Sequence, residues 1–391
     1  MNKKKILFVV SDFYHNGAQR EMYEFDCALD KDKFEITILS QLGLNTRADL
    51  PDYFYEKHLH LGSKVLFLKD FIIQSKKSLW YKIVNKLLRN SLNKKIKGKG
   101  SKNLVTLFND YDHVVFMGEY VYQHLSPIIP VDYFNKIIIF VMSFRFQSEN
   151  YRNFNKNNNY LFFGVFNDLK EVEYEFEGFI DYKYQYMPLS LTVSTENKKW
   201  KFKEENTVKK IGIFTRLHKD KPLDPFLYTY QVLLSQGLDI ELHVFGVGSI
   251  KDAEYDRYIN NLDLNGRVHF RGHQPDMKKT ILQEKIDMVW FQGYNNLPAG
   301  YAGLEVCLTG TPQLFWDFFV GENEHVNILD KDIIYPHYKD LLSFVEASKK
   351  VLYDCKVAES LSDKQFQDVF NNRDIFRNIQ TVENIFLENN E

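Results

Sequence analysis

The sequence has no uninterrupted run of about 18 apolar residues, so no membrane-spanning helix is expected. Cysteine is scarce: Cys27, Cys307 and Cys355 are the only three in 391 residues. They are odd in number, scattered and without metal-ligand spacing, which reads as reduced, structural thiols of an intracellular protein. Neither sign of charge is in excess. Fifty Lys and Arg stand against 52 Asp and Glu, a formal net charge of -2, so no polyanionic or polycationic partner is implied for the chain as a whole. No repeat of roughly 20 to 50 residues is evident. A dinucleotide fingerprint is also missing: Gly246-Val247-Gly248-Ser249 lacks the third glycine, and no such motif follows the first apolar run. A redox role with a dinucleotide is therefore disfavoured.

What is present is apolar mass. Hydrophobic residues make up 44% and aromatics 16%, with 33 Phe and 24 Tyr, enough to pack two cores and to exclude global disorder. The length exceeds one ordinary core and suits two domains. Near the start, MNKKKILFVVSDF is basic and then apolar; ILFVV is too short for a signal-peptide core and ends in Ser-Asp, so it reads as a first β-strand. Similar runs recur as FEITILS, HVVFM and KIIIFVM, then KIGIFT, IELHVFG, RVHFRG, MVWFQG and PQLFW. Continuous Val/Ile/Phe runs separated by helical patterns predict an α/β protein of two doubly wound domains, each with a parallel sheet buried on both faces. The expected bounds are an N-terminal domain over 1–194, a charged linker over 195–209 and a C-terminal domain over 210–365. A helix over 366–391, with a polar tail, is expected to pack back toward the N-terminal domain.

One region departs from neutrality. Residues 76–102, KKSLWYKIVNKLLRNSLNKKIKGKGSK, carry Lys and Arg with no acid, interleaved with Leu79, Trp80, Ile83, Val84, Leu87 and Leu88. The spacing suits a helix lying on an anionic bilayer surface; an ordinary core helix followed by a solvated basic loop fits equally. The expected location is the cytoplasm, with peripheral attachment to the inner face of the membrane. Nucleic acid is a weaker partner, because the patch stands alone.

In open parallel sheets, ligands bind beyond the carboxyl ends of the strands. After the first strand, His15, Asn16 and Gly17 precede a helix expected to begin near Gln19, whose N-terminus favours an anion or a sugar hydroxyl; a plain strand-to-helix turn is the alternative. After KIGIF come Arg216 and Lys221, before a helix expected to be capped near Asp224-Pro225. An Arg that forks onto phosphate oxygens and a Lys that adds a point charge can neutralise a diphosphate, whereas each taken alone is an ordinary surface cation. The stretch RVHFRGHQPD ends a strand in Gly272, His273 and Gln274 and closes its loop with Pro275. In GYNNLPAGYAGLEVCLTGTPQLFWD, Pro298 suits a first helical turn, and the stretch Ala299-Gly300-Tyr301-Ala302-Gly303 gives a helix start with small residues. Glu305 follows one to two turns in, where it can accept bonds from ribose hydroxyls; a structural helix contact for Glu305 is the other reading.

Taken in order, the Arg-x4-Lys of Arg216 and Lys221, the Gly-x-Gly of 246–248, NGRVHFRGHQPD and LEVCLTGTPQLFWD resemble the retaining, GT-B-fold glycosyltransferases of the large family four type. The likeness covers about 210–317 and, in the first half, ILFVVSDFYHNGAQREM. It implies the GT-B fold, two Rossmann-like domains facing across a cleft. It also implies transfer of a sugar, with retention and without a metal, from a nucleotide-diphosphate donor to a glycan or glycolipid of a bacterial surface polysaccharide or lipopolysaccharide. No cofactor is implied; the nucleotide sugar, most simply a UDP-sugar, is a substrate. By the same resemblance Arg216 and Lys221 hold the diphosphate and stabilise its charge as it leaves. Gly272, His273 and Gln274 frame the base, Glu305 binds ribose, and Gly17, Gly246, Gly248, Gly300 and Tyr301 complete the donor site.

Two departures stand out. The family often carries Glu-x7-Glu, but the position eight before Glu305 is Leu297, leaving Asn295 or Asn296 as neutral substitutes for the missing carboxylate. A first-domain histidine common in the family is replaced by a stretch in which Ser143 and Arg145 are the polar residues, placed with His15 and Asn16 on the acceptor side. The missing carboxylate supports a rival of another class, a non-catalytic relative that binds nucleotide or glycan as a scaffold for a partner transferase. An epimerase of the same fold is a weaker rival, lacking a set of cleft carboxylates with a histidine.

Overall fold

A computed structural model describes residues 3–47, 51–72, 99–126, 129, 136–142, 160–164, 182–193, 198–203, 208–219, 221–293, 297–317, 328, 330 and 332–388. Residues 76–98 of the basic stretch, Ser143, Arg145, Asn295 and Asn296 lie outside the described residues, as do 195–197 and 204–207 of the expected linker. The chain divides into two compact units, Met1–Thr192 with Ile375–Glu391, and Val193–Asp374.

The first unit is built on seven parallel strands: β1 Lys4–Val10, β2 Phe34–Ser40, β3 Lys64–Phe67, β4 His113–Met117, β5 Ile137–Val141, β6 Tyr160–Gly164 and β7 Tyr182–Tyr186. Their order is β3-β2-β1-β4-β5-β6-β7, with Lys4 beside Phe34 on one side of β1 and Ile6 beside His113 on the other. Ile6 to Val10 are all buried, as a strand covered on both faces requires. Leu7, Val9, Val114, Phe116, Ile137 and Ile139 share one core with Leu104 and Phe108, which lie on a helix, Lys99–Asn109. On the other face, Phe25 meets Phe140 edge-on at 5.2 Å; Phe25 lies on α1, Gly17–Ala28.

The expected C-terminal helix is two helices in different units. Residues 366–372 finish a helix of the second unit, Cys355–Asn372, while Ile375–Leu387 belongs to the first. In that last helix Phe386 lies edge-on to Phe8 at 6.0 Å and to Phe34 at 5.8 Å. His113 Nε2 lies 3.1 Å from the Phe386 carbonyl oxygen.

The second unit has six parallel strands: β8 Lys209–Phe214, β9 Ile240–Phe245, β10 Val268–Gly272, β11 Met288–Gly293, β12 Gln313–Asp317 and β13 His337–Tyr338. They run in the order β10-β9-β8-β11-β12-β13. Ile211, Ile213, Leu242, Val244, Trp290 and Leu314 pack with Phe344 and Leu361 into one core. In both sheets the chain first builds outward from one central strand and then jumps to its other side, at β1/β4 and at β8/β11. Such switch points open a crevice between diverging loops, the usual place for a ligand. Among the described residues, no helix is long and apolar enough to cross a membrane.

Candidate functional site

In the second unit the switch point joins the loop after β8 to the segment between β11 and the following helix, Gly300–Thr309, here called α9 because eight helices precede it in the described chain. The loop after β8 is zipped to its neighbour: the Thr215 and Leu217 amides donate to the Phe245 and Val247 carbonyls at 2.9 and 2.8 Å, and the Gly246 amide donates to Gly272 at 2.9 Å. Arg216, Gly246, Gly248 and Gly272 are thereby held on one rim. A Cβ on Gly246 (φ +152°) would lie 1.7 Å from the Thr215 oxygen, and one on Gly248 (φ +119°) 2.4 Å from the Leu217 oxygen. The glycines allow the loops to touch.

Arg216 and Lys221 both follow β8 in the chain. Desolvation by surrounding protein lowers the Lys221 pKa, and the like charge of Arg216 lowers it further; both side chains retain solvent exposure. Among the described residues neither cation makes an ion pair. The turn that carries Lys221 is pinned from behind. Buried Tyr255 donates its hydroxyl to the Lys221 carbonyl at 2.9 Å and accepts from the Leu223 amide at 3.0 Å. Gln292, near the end of β11, donates to the Pro222 carbonyl at 2.8 Å. The following helix opens at Asp224 with Pro225 in its first turn, but Asp224 does not cap it.

α9 begins at Gly300, two residues beyond Pro298, and no side chain caps it or places an acid in its first turn. That leaves the positive end of its dipole directed at the switch point. Tyr301 and Glu305 are one turn apart on the same face, both half-buried. Gln313 fixes the helix by donating through Nε2 to the Gly303 carbonyl and Cys307 Sγ, both at 2.8 Å. In the loop after β10, Gln274 turns back to donate to its own Arg271 carbonyl at 2.9 Å, and Asp276 caps the next helix by accepting from the Lys279 amide at 2.9 Å. His273 is exposed there.

Motif reading missed His337 on β13. It is buried against Phe315, rings stacked 4.8 Å apart, and neither nitrogen makes a hydrogen bond. Burial pushes its pKa down to about 3, so the ring is neutral. A Cβ on Gly293 would fall 2.5 Å from its Cε1. Only the spatial approach of β13 to the end of β11 reveals this residue.

In the first unit, Asn16 caps α1 by accepting from the Gln19 amide at 3.2 Å, and the helix begins at Gly17 rather than Gln19. His15 is exposed and stacks on Tyr53 at 4.3 Å. A Cβ on Gly17 would meet nothing within 4 Å, so its small size leaves open space. Across the switch point Ser11 Oγ donates to Asp12 at 2.6 Å and accepts from Gln19 Nε2 at 2.8 Å and from the Tyr120 hydroxyl at 3.2 Å. This Ser11, Asp12, Gln19 and Tyr120 group carries no motif. Buried Gln19 Oε1 has no hydrogen-bond partner.

No family model matches the sequence, and no curated protein does. Solved structures do match over the whole length. HepE of Anabaena, in complex with UDP and glucose, superposes with a TM-score of 0.65 at 13% identity, covering 98% of this chain and 100% of that one. Sucrose-phosphate synthase of Thermosynechococcus elongatus gives 0.66 at 11% identity, with 98% of each chain covered. The lipopolysaccharide outer core galactosyltransferase WaaB gives 0.63 at 12%, covering 97% of this chain and 99% of that one. The chain has the GT-B fold. The two Rossmann-like units and their parallel sheets, expected from the alternating apolar runs, are those found. In this GT-B chain Arg216, Lys221, the Gly246 and Gly248 loop, Gly272 and the start of α9 all lie at the carboxyl ends of β8 to β11.

Proposed function

We propose that this GT-B chain is a glycosyltransferase that moves a sugar, with retention, from a nucleotide-diphosphate donor to a glycan or glycolipid of the bacterial surface. The observation that carries the reading is the placement of Arg216 and Lys221, two cations without an ion-pair partner among the described residues, after β8, whose neighbour β11 leads into the uncapped α9. Two such charges near a helix N-terminus suit a diphosphate. HepE has been solved with UDP and glucose, and TarM of S. aureus with UDP and a glycan; a UDP-sugar is accordingly the first donor to try.

In the proposed step the bond from the anomeric carbon to the diphosphate oxygen breaks, and the electron pair leaves with the diphosphate. The acceptor oxygen bonds to the same face of the sugar and its proton passes to the departing phosphate oxygen. Arg216, Lys221 and the dipole of α9 stabilise the charge that appears there, so the step itself requires no metal at the diphosphate. Glu305 accepts from ribose hydroxyls, and the Gly272 to Gln274 turn lies along the base. Binding at the inner membrane face through 76–102 belongs to the same proposal. Loss of vesicle binding on neutralising Lys94, Lys95, Lys97 and Lys99 is its check.

Leu297, in place of a carboxylate, favours the second reading, a scaffold that binds nucleotide or glycan without transfer. Titration calorimetry with UDP, GDP, ADP and CMP, followed by a transfer assay with the sugars of whichever nucleotide binds, separates the two. Binding with turnover supports the enzyme, binding without it supports the scaffold, and no binding to any of the four removes the enzyme and favours a scaffold that binds glycan.

A further inference from the structure

Away from the strand ends, the face of the second sheet carries a cluster that no part of the proposed transfer uses. Glu241 and His243 are two apart on β9, so their side chains share a face. His269 on β10 stands opposite His243 in register, and the two rings lie 4.9 Å apart. One ligand atom from each of the three residues can be chosen so that all lie within 4.8 Å of one another. His243 is buried, His269 half-buried and the Glu241 side chain 38% exposed. Because β10 is the edge strand, the cluster is supported from inside and reached by solvent from outside.

We propose that Glu241, His243 and His269 form a zinc site that clips the edge strand β10 to β9. Two imidazoles and one carboxylate, with a solvent-facing fourth position, are a donor set that zinc accepts, while calcium and magnesium prefer oxygen alone. Metal–ligand bonds of about 2.0–2.2 Å in a tetrahedron put ligand atoms roughly 3.3–3.5 Å apart. His243 Nε2 and Glu241 Oε2 are at 2.9 Å, so this pair opens slightly and His269 closes in.

The ion-free arrangement shows what must give way. His243 Nε2–H donates to Glu241, and Nδ1 accepts from Arg271 Nε at 3.3 Å. When zinc takes Nε2, the ring proton moves to Nδ1 with no net release. Arg271, then facing an N–H, turns outward, where it already has solvent on its flank. Lys210, 3.9 Å from Glu241, has Glu284 at 4.0 Å as a second carboxylate.

The test is a competition titration of the full chain, stripped by a chelator, with zinc(II) against a chromophoric chelator. His269→Ala and Glu241→Gln accompany the parent; both positions have solvent access, and circular dichroism of the stripped proteins verifies folding. One zinc per parent chain is expected. Each variant should bind more weakly by at least the roughly 10–100-fold typical of losing even an outer-shell partner. Zinc should also raise the melting temperature of the parent and not of His269→Ala. Absence of one-to-one binding in the parent, or equal affinity in parent and both variants, overturns the site. Nucleotide affinity is read separately, so failure here leaves the transferase reading standing.

Discussion

Gly246 rests on the backbone of Thr215: a side-chain carbon at 246 would come within 1.7 Å of the Thr215 carbonyl oxygen. Gly17 has the opposite surroundings, with nothing within 4 Å. Gly246→Ala should therefore cost on the order of 1–3 kcal/mol of stability through backbone strain, measured by urea unfolding. Gly17→Ala should stay within about 0.5 kcal/mol of the parent while slowing transfer, because the added methyl enters open space at the helix start.

Arg216 is exposed and makes no ion pair among the described residues, so Arg216→Ala should leave the melting temperature unchanged. Turnover should fall by on the order of 10²–10³, the usual loss for one group stabilising charge in the transition state. The same variant removes a like charge from Lys221. The Lys221 pKa, held below its ordinary value by desolvation and then by Arg216, should rise toward it in an NMR titration of ¹³C-methylated lysines. Unchanged turnover would remove Arg216 from the diphosphate site.

Asp26 is a buried carboxylate of the first unit, accepting from His58 Nδ1 at 2.7 Å and Ser63 Oγ at 2.5 Å and paired with Lys31. Burial alone pushes its pKa up, but the His58 hydrogen bond and the Lys31 charge outweigh that and leave it below the usual carboxylate range. A depressed folded pKa means that its stabilisation is complete above the unfolded value of about 3.9 and is lost as pH falls through the folded one. Asp26→Asn should cost about 3–5 kcal/mol near neutral pH. Urea melts of parent and variant should converge below about pH 4.

Phe386 closes the first unit's core from the far end of the chain. Phe386→Ala should destabilise that unit by about 3–5 kcal/mol. The sign of success is an early transition in a denaturant melt while Trp290, buried in the second unit, keeps its native fluorescence.

Nine of the thirteen strands are legible as continuous apolar runs. Of the other four, β6 is itself an apolar run, Tyr-Leu-Phe-Phe-Gly, that was passed over, and the remaining three have local causes. β3 is four residues long and β13 only two, while β7 reads Tyr-Lys-Tyr-Gln-Tyr, a polar alternation that does not announce a strand in a parallel sheet. The positions of Arg216 and of the glycines of 246, 248 and 272 after strands were readable. The reason for two of the glycines was not, because Thr215 and Leu217, which demand them, lie some thirty positions earlier in the chain. His337 and the Glu241, His243 and His269 group have no linear signature, since strand register brings them together.

By itself the sequence determined the elements and their class: burial on both faces demands unbroken apolar runs, and intervening helices make the strands parallel. Tertiary structure alone decided which strands became neighbours, where each sheet switched direction, and which unit received the last helix. Those outcomes rest on partners such as Asp30 and Glu383, joined by a 2.9 Å hydrogen bond across 353 positions. No local propensity encodes such a contact; it forms because packing the whole chain leaves that face of β1 for Phe386 to cover.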